Sequence, residues 1–209
     1  FATSGTADNL QVDNVHFVDL SSRGIEIHNN TTVTNMSVTN SLFQNTGTGI
    51  RLASSAVGDG IDIDQTTFDT NSLAFYQAND GSTGNVRDLQ ITNSTFRNST
   101  DTAVFGEEIR DSAIDGNLFE NNHRDFTLFK NYTGAGTDVE NLQIINNIMT
   151  DSEQSSILIW SYGSGLAGAI DINGNTITSD VGVMTANWPK IDVRLDSSYT
   201  HAPVNINEN

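Results

Sequence analysis

One phrase returns along the whole chain, and it constrains the fold more than any other feature. It reads apolar, any, apolar, any, Asn-like, two of any, then Phe or another large apolar residue. Leu10, Val12, Asn14 and Phe17 carry the first copy, and Met36, Val38, Asn40 and Phe43 the second. Ile61, Ile63, Gln65 and Phe68 follow, then Leu89, Ile91, Asn93 and Phe96. A degenerate copy keeps Ile114, Gly116 and Phe119. Two more run through Leu142, Ile144, Asn146 and Met149 and through Ile170, Ile172, Gly174 and Ile177, and Ile191 with Val193 reads as the start of an eighth. The closing residues of the seven complete copies lie 26, 25, 28, 23, 30 and 28 positions apart. Helical repeats keep a fixed length, whereas coils with a constant strand and a variable loop drift in this way.

Inside the phrase the alternation has period two, so it predicts a short strand with one face buried. A second apolar run follows in most coils, at 24–27, 49–52, 74–75, 103–105, 126–129, 157–160 and 181–184. Two strands per turn, with room for a third weak one, are what a parallel β-helix requires. Each coil then pairs with its neighbours at about 4.8 Å, and eight coils extend roughly 38 Å. Phe17, Phe43, Phe68, Phe96 and Phe119 are expected to stack as an interior ladder. The Asn column is expected at a tight bend, because Asn tolerates left-handed dihedrals and stacked amides bond between coils. A β-sandwich of short strands is the rival fold, but it leaves the shared register of these columns unexplained.

The pattern resembles the right-handed parallel β-helix proteins of the pectate-lyase-like class, over about residues 10–195. The resemblance implies an all-β solenoid of about eight coils in one domain over 1–209, with no evident capping helix. It implies no single function, since that class holds lyases, hydrolases, epimerases, tailspikes, adhesins and structural segments.

Composition narrows the partners. With 26 acidic against 9 basic residues the formal charge is -17, which repels the phosphates of nucleic acid. No stretch approaches the ~20 apolar residues of a membrane span. Cysteine is absent, which rules out disulfides and thiolate metal sites. The chain opens at Phe1 without a signal-like segment and reads as a processed product, an excised domain or a partial sequence. Asn-x-Ser/Thr triplets at Asn29, Asn30, Asn35, Asn93, Asn98 and Asn131 and the Asn/Thr-rich flavour point to an extracellular or cell-surface setting.

Three groups of residues are candidates for chemistry. Asp59, Asp62 and Asp64 are the best calcium ligands, although the six to eight oxygens that calcium wants have no defined loop here. If Ile25, Ile50, Val104, Leu128 and Ile159 point inward, then Phe105, Phe129 and Trp160 point out, with Tyr162 nearby, as a binding platform or a covered contact. His123, Arg124, Lys130 and Tyr132, beside Asp125 and with Glu107, Glu108 and Arg110 one coil earlier, are the residue types a uronate lyase or epimerase needs. The sequence signatures of pectinase-type hydrolases and alginate epimerases are missing. The leading expectation is therefore a structural or adhesive β-helical segment of an extracellular or cell-surface protein. It assembles through its ends and aromatic face into a stalk or filament, by self-association or against neighbouring domains. A glycan-binding module and a polysaccharide lyase or epimerase are the alternatives.

Overall fold

The computed structural model describes residues 5–77, 84–130, 139–162, 166–178 and 188–209. These residues form an all-β parallel solenoid, and no helix occurs among them. Three sheets run along its length, with nine strands in the first and seven in each of the others. The second and third sheets have seven rungs, about six turns from first to last, and the first sheet has eight, so the expected eight coils is an approximation. Every strand pairs in parallel with the equivalent strand one coil away, for instance Val57–Asp64 with Asn85–Thr92.

The recurring phrase supplies two of the three sheets rather than one strand. Its Asn-like residue takes a left-handed conformation and turns the chain sharply between them: φ is 54° at Asn14, 50° at Asn40, 49° at Gln65, 48° at Asn93 and 55° at Asn146. Gly116 and Gly174, which stand in the same column, have φ of 66°. Asn tolerates this region because its short side chain bonds locally. The amides of this column do not bond one another as expected; they cap the carboxylate of the coil before. Asn40 Nδ2 donates to Asp13 at 2.9 Å, Asn93 to Asp64 at 2.8 Å and Asn146 to Asp115 at 2.9 Å. The amide ladder runs one residue later and inside. There Ser94 N donates to Asn117 Oδ1 and Asn117 N to Asn147 Oδ1, both at 2.9 Å, and Asn147 N to Asn175 Oδ1 at 3.0 Å. These bonds satisfy backbone donors that the turn takes out of the sheets.

The core fills the space between the sheets. Val38, Ile63, Ile91, Ile114, Ile144 and Ile172 form one fully buried row on the first sheet. From the narrow second sheet come the expected aromatic rings, stacked at centroid separations of 4.6, 4.8, 4.9 and 4.8 Å from Phe17 to Phe119. That separation is the rung spacing itself, so the backbone fixes it. Opposite the rings, the third sheet carries Gly24, Gly49, Ala74 and Ala103 in register. A Cβ on Gly24 would lie 2.7 Å from Phe43 Cδ1, and one on Gly49 would lie 2.8 Å from Phe68 Cδ1. Each small residue thus faces the ring of the following coil. Beyond Ala103 the same column continues as Asp125, Ser156 and Lys190, while the ring column changes to Met149 and Ile177.

One expected copy of the phrase is misplaced. Ile191–Leu195 belongs to the third sheet and pairs with Ile157–Ser161. The last strand of the first sheet is Val204–Asn207, which pairs with Ile170–Asn173 and continues the amide ladder to Asn209. Asp192 and Arg194 therefore leave the first-sheet exterior and join that of the third sheet.

Candidate functional site

Residues gather most distinctly on the exterior of the third sheet. Along its first outward column stand Glu26, Arg51, Tyr76, Phe105, Thr127 and Leu158, ending at Asp192. Phe129, Trp160 and Arg194 form a second outward column two residues further along the strands. Phe105 and Phe129 therefore do not share a column. Leu128 and Ile159 point inward as expected, but Leu128 pairs with Gly106 rather than with Val104.

The side chains of this face hold each other in place. Tyr76 and Phe105 lie 5.2 Å apart, and Phe129 meets Trp160 edge-on at 5.1 Å. The Arg194 guanidinium is 5.3 Å from the ring centroids of both Trp160 and Trp188, and Arg51 lies 6.0 Å from that of Tyr76. Glu26 joins Arg23 and Arg51 at 3.0 Å each, and Asp192 holds Arg194. Phe105, Phe129 and Trp160 are half-buried, whereas Tyr162 at the strand end is exposed. Three of the nine basic residues sit here against two carboxylates, so the face is close to neutral.

The exterior of the first sheet has the opposite character. Asp8, Asp13, Asp59, Asp62, Asp64 and Asp115 project from it. Hydrogen bonds from Asn93 and Thr92 hold the Asp64 carboxyl below its usual range, whereas burial and the neighbouring Asp64 raise that of Asp62. No group of three or more metal-capable His, Cys, Asp or Glu side chains converges among the described residues, and Asp59, Asp62 and Asp64 stay strung along one strand.

The residues chosen for catalysis are dispersed. The strand Arg124–Lys130 spans about 20 Å at ~3.3 Å per residue, so sequence neighbours there are not spatial neighbours. At one end His123 Nδ1 pairs with Glu153 at 2.8 Å, and Arg124 donates to Gln154. At the other end Lys130 Nζ lies inside the solenoid, 2.7 Å from Glu108 Oε1, with both side chains at most 2% exposed. Glu108 and Glu107 each donate their backbone N–H to Gln77 Oε1 at 2.8 Å. Arg110 stands on the first sheet in register with Arg87 and Glu140. Tyr132 lies outside the described residues.

The same strand gives Asp125, which the sequence placed beside the His123 cluster, a different setting. Asp125 is fully buried; Asn122 Nδ2 donates to it at 2.9 Å, and the Ser152 hydroxyl donates to its other oxygen. Burial pushes its pKa up to about 6, against the opposing effect of these donors and of Lys190. The signal was present in sequence as an Asp at a position held by Gly or Ala in earlier coils, but it needs the third-sheet register to be read.

No family model matches this chain, and no curated protein does. Solved structures that match include two of QnrB1, a plasmid-mediated fluoroquinolone resistance protein. One is 10% identical with a TM-score of 0.24, covering 92% of this chain and 91% of that one. The other is 12% identical with a TM-score of 0.21, covering 90% and 91%. At these TM-scores they carry no argument about function, and the expected extracellular structural or adhesive role finds no support in them. The extracellular structural or adhesive segment is set aside, together with its glycan-binding and its lyase or epimerase alternatives. The dispersal of His123 and Lys130 to opposite ends of one strand removes the arrangement that a lyase or epimerase at this cluster would need. At this level of likeness no activity of QnrB1 transfers, and the resemblance to the pectate-lyase-like class extends to the solenoid fold alone.

Proposed function

We propose that this chain is a non-catalytic solenoid module whose partner is a second copy of itself, docked through the exterior of the third sheet into a discrete pair. The observation that carries the reading is the Arg–aromatic strip: Arg51 on Tyr76, which packs against Phe105, and Arg194 between Trp160 and Trp188. Tyr, Trp and Arg are the residues that dominate protein interfaces, and here their rotamers are already fixed by mutual contact. Charge favours this face for self-association. Two copies of a chain with net charge -17 repel, and a near-neutral strip with both signs is where that repulsion is weakest. Thr127, Leu158 and Asp192 of the first outward column are buried, so the accessible part of the face is smaller than the ~800 Å² per partner of stable complexes, and the pair is weak.

Sedimentation velocity of the full chain from low to high micromolar concentration tests this. The wild type should shift from monomer to dimer, and Trp160→Glu and Phe105→Glu should stay monomeric with an unchanged β-sheet circular dichroism spectrum. A wild type that remains monomeric throughout, or a dimer that survives both substitutions, overturns the proposal.

A further inference from the structure

We propose that Asp125, with Asn122, Ser152, Ser156 and Lys190, forms a buried clasp across three successive coils whose protonation stabilises the folded chain against unfolding. The five residues come from three successive coils. Asn122 and Asp125 flank the turn into one strand of the third sheet, Ser152 and Ser156 occupy the next coil, and Lys190 the one after. By register Asp125 neighbours Ser156, and Ser156 neighbours Lys190, in the column that Gly24 and Gly49 occupy lower down. Asn122 Nδ2 reaches Asp125 Oδ1 at 2.9 Å, the Ser152 hydroxyl reaches Oδ2, and Ser152 lies 3.0 Å from the Ser156 hydroxyl. One carboxyl therefore ties consecutive coils through side chains alone.

The clasp is set to titrate. Asp125 is fully buried, and Lys190 Nζ is buried without a hydrogen-bond partner. Among the described residues, few titratable groups act on the pair. Lys190 lowers the Asp125 pKa, and Asp125 and Asp151 act in the opposite direction on Lys190, whose own pKa burial depresses. Phe119 and Met149, on the facing narrow sheet, are uncharged. His123 and Arg124 on the same strand, and Asp101 on the coil below, are engaged outside, with Glu153, Gln154 and each other.

The sign follows from burial. The folded pKa of about 6 exceeds the ordinary 3.8, so the folded protein binds this proton more tightly than the unfolded chain. The stability contributed is fully present below pH 3.8 and is lost as pH rises through about 6. Between pH 7.5 and pH 5 the unfolding constant should fall about tenfold through this group.

Equilibrium urea unfolding of the full chain at pH 5 and pH 7.5, with infrared difference spectra of the carboxyl band, tests the clasp. Asp125→Asn should abolish the tenfold difference and remove a carboxyl that titrates near pH 6. Lys190→Met, which leaves the carboxyl in place, should move that titration to higher pH. The proposal is overturned if Asp125→Asn keeps the wild-type pH dependence, or if Lys190→Met leaves the carboxyl titration where it was. If Asp125→Asn does not fold, the wild-type and Lys190→Met spectra decide the matter alone.

Discussion

The lower and upper coils solve the same packing problem with opposite chemistry. From Phe17 to Phe119 the narrow sheet fills the interior with stacked rings, and the facing column of the third sheet shrinks to Gly24, Gly49, Ala74 and Ala103. Once the ring column passes to Met149 and Ile177, the facing column holds Asp125 and Ser156. Each third-sheet residue lies opposite the narrow-sheet residue of the next coil, so Ala103 is the last to face a ring and Asp125 the first to face Met149. A solenoid of constant cross-section conserves volume per rung, and a smaller partner in one column frees room in the other. In the upper coils that room holds polar groups, which need partners of their own. Both halves keep an aliphatic core and buried side-chain hydrogen bonds, such as Thr46 to Asn71 in the lower coils, but only the upper one places a carboxyl in the column that faces the narrow sheet.

Removing a ring should break the comparison most severely. Phe68 is fully buried between Phe43 and Phe96, at 4.8 and 4.9 Å. Phe68→Ala leaves a void that rungs fixed at ~4.8 Å cannot close, and should cost about 3–5 kcal/mol in urea unfolding. The loss should be independent of pH between 5 and 7.5, unlike the effect of substitutions at Asp125.

Adding volume to the small column should cost less. Gly49→Val places a Cβ 2.5 Å from the Ala74 carbonyl oxygen and 2.8 Å from Phe68 Cδ1, where neither backbone nor a stacked ring can yield freely. A loss of about 1–3 kcal/mol is expected in the same assay. Combining Gly49→Val with Phe68→Leu should recover part of it, because the two sites share one space. Strict additivity of the two losses would show that the columns do not exchange volume, and the comparison between the two halves would fall with it.

These columns also show where sequence was readable. The phrase carries its own marker, a residue suited to left-handed φ three places before a large apolar one, so Phe17 through Phe119 could be aligned without a structure. The third sheet has no such marker. It follows turns and loops of varying length, and its inward positions hold Ile50, Phe75, Val104 and Phe126 with little in common but burial. The inward direction of Leu128 is legible but its pairing with Gly106 is not, and Ile191–Leu195, being apolar and alternating, imitates a first-sheet strand. Lys130 and Glu108 are grouped one coil apart in the sequence, but nothing local announces that they pair at 2.7 Å inside the core rather than on the exterior. The Arg–aromatic face was half visible, since Phe129 and Trp160 stood out by type. The sandwiching of Arg194 by Trp160 and Trp188 required the pairing of strands distant in sequence.

The marker itself gives the smallest and most discriminating test. Asn93 has φ of 48° and donates to Asp64, while Gly116 and Gly174 meet the same backbone demand with no side chain. Asn93→Ala must hold a Cβ in the left-handed region and also loses the bond to Asp64, so a cost of about 1–2 kcal/mol is expected. Asn93→Gly loses the bond and adds freedom to the unfolded chain, but relieves the strain, and should cost under about 1 kcal/mol. The order Ala worse than Gly would establish that the column is selected for backbone conformation, with the amide–carboxylate bond secondary. Equal losses would assign the turn to the bond with Asp64, and would leave Gly116 and Gly174 as weak points in the upper coils rather than equivalent solutions.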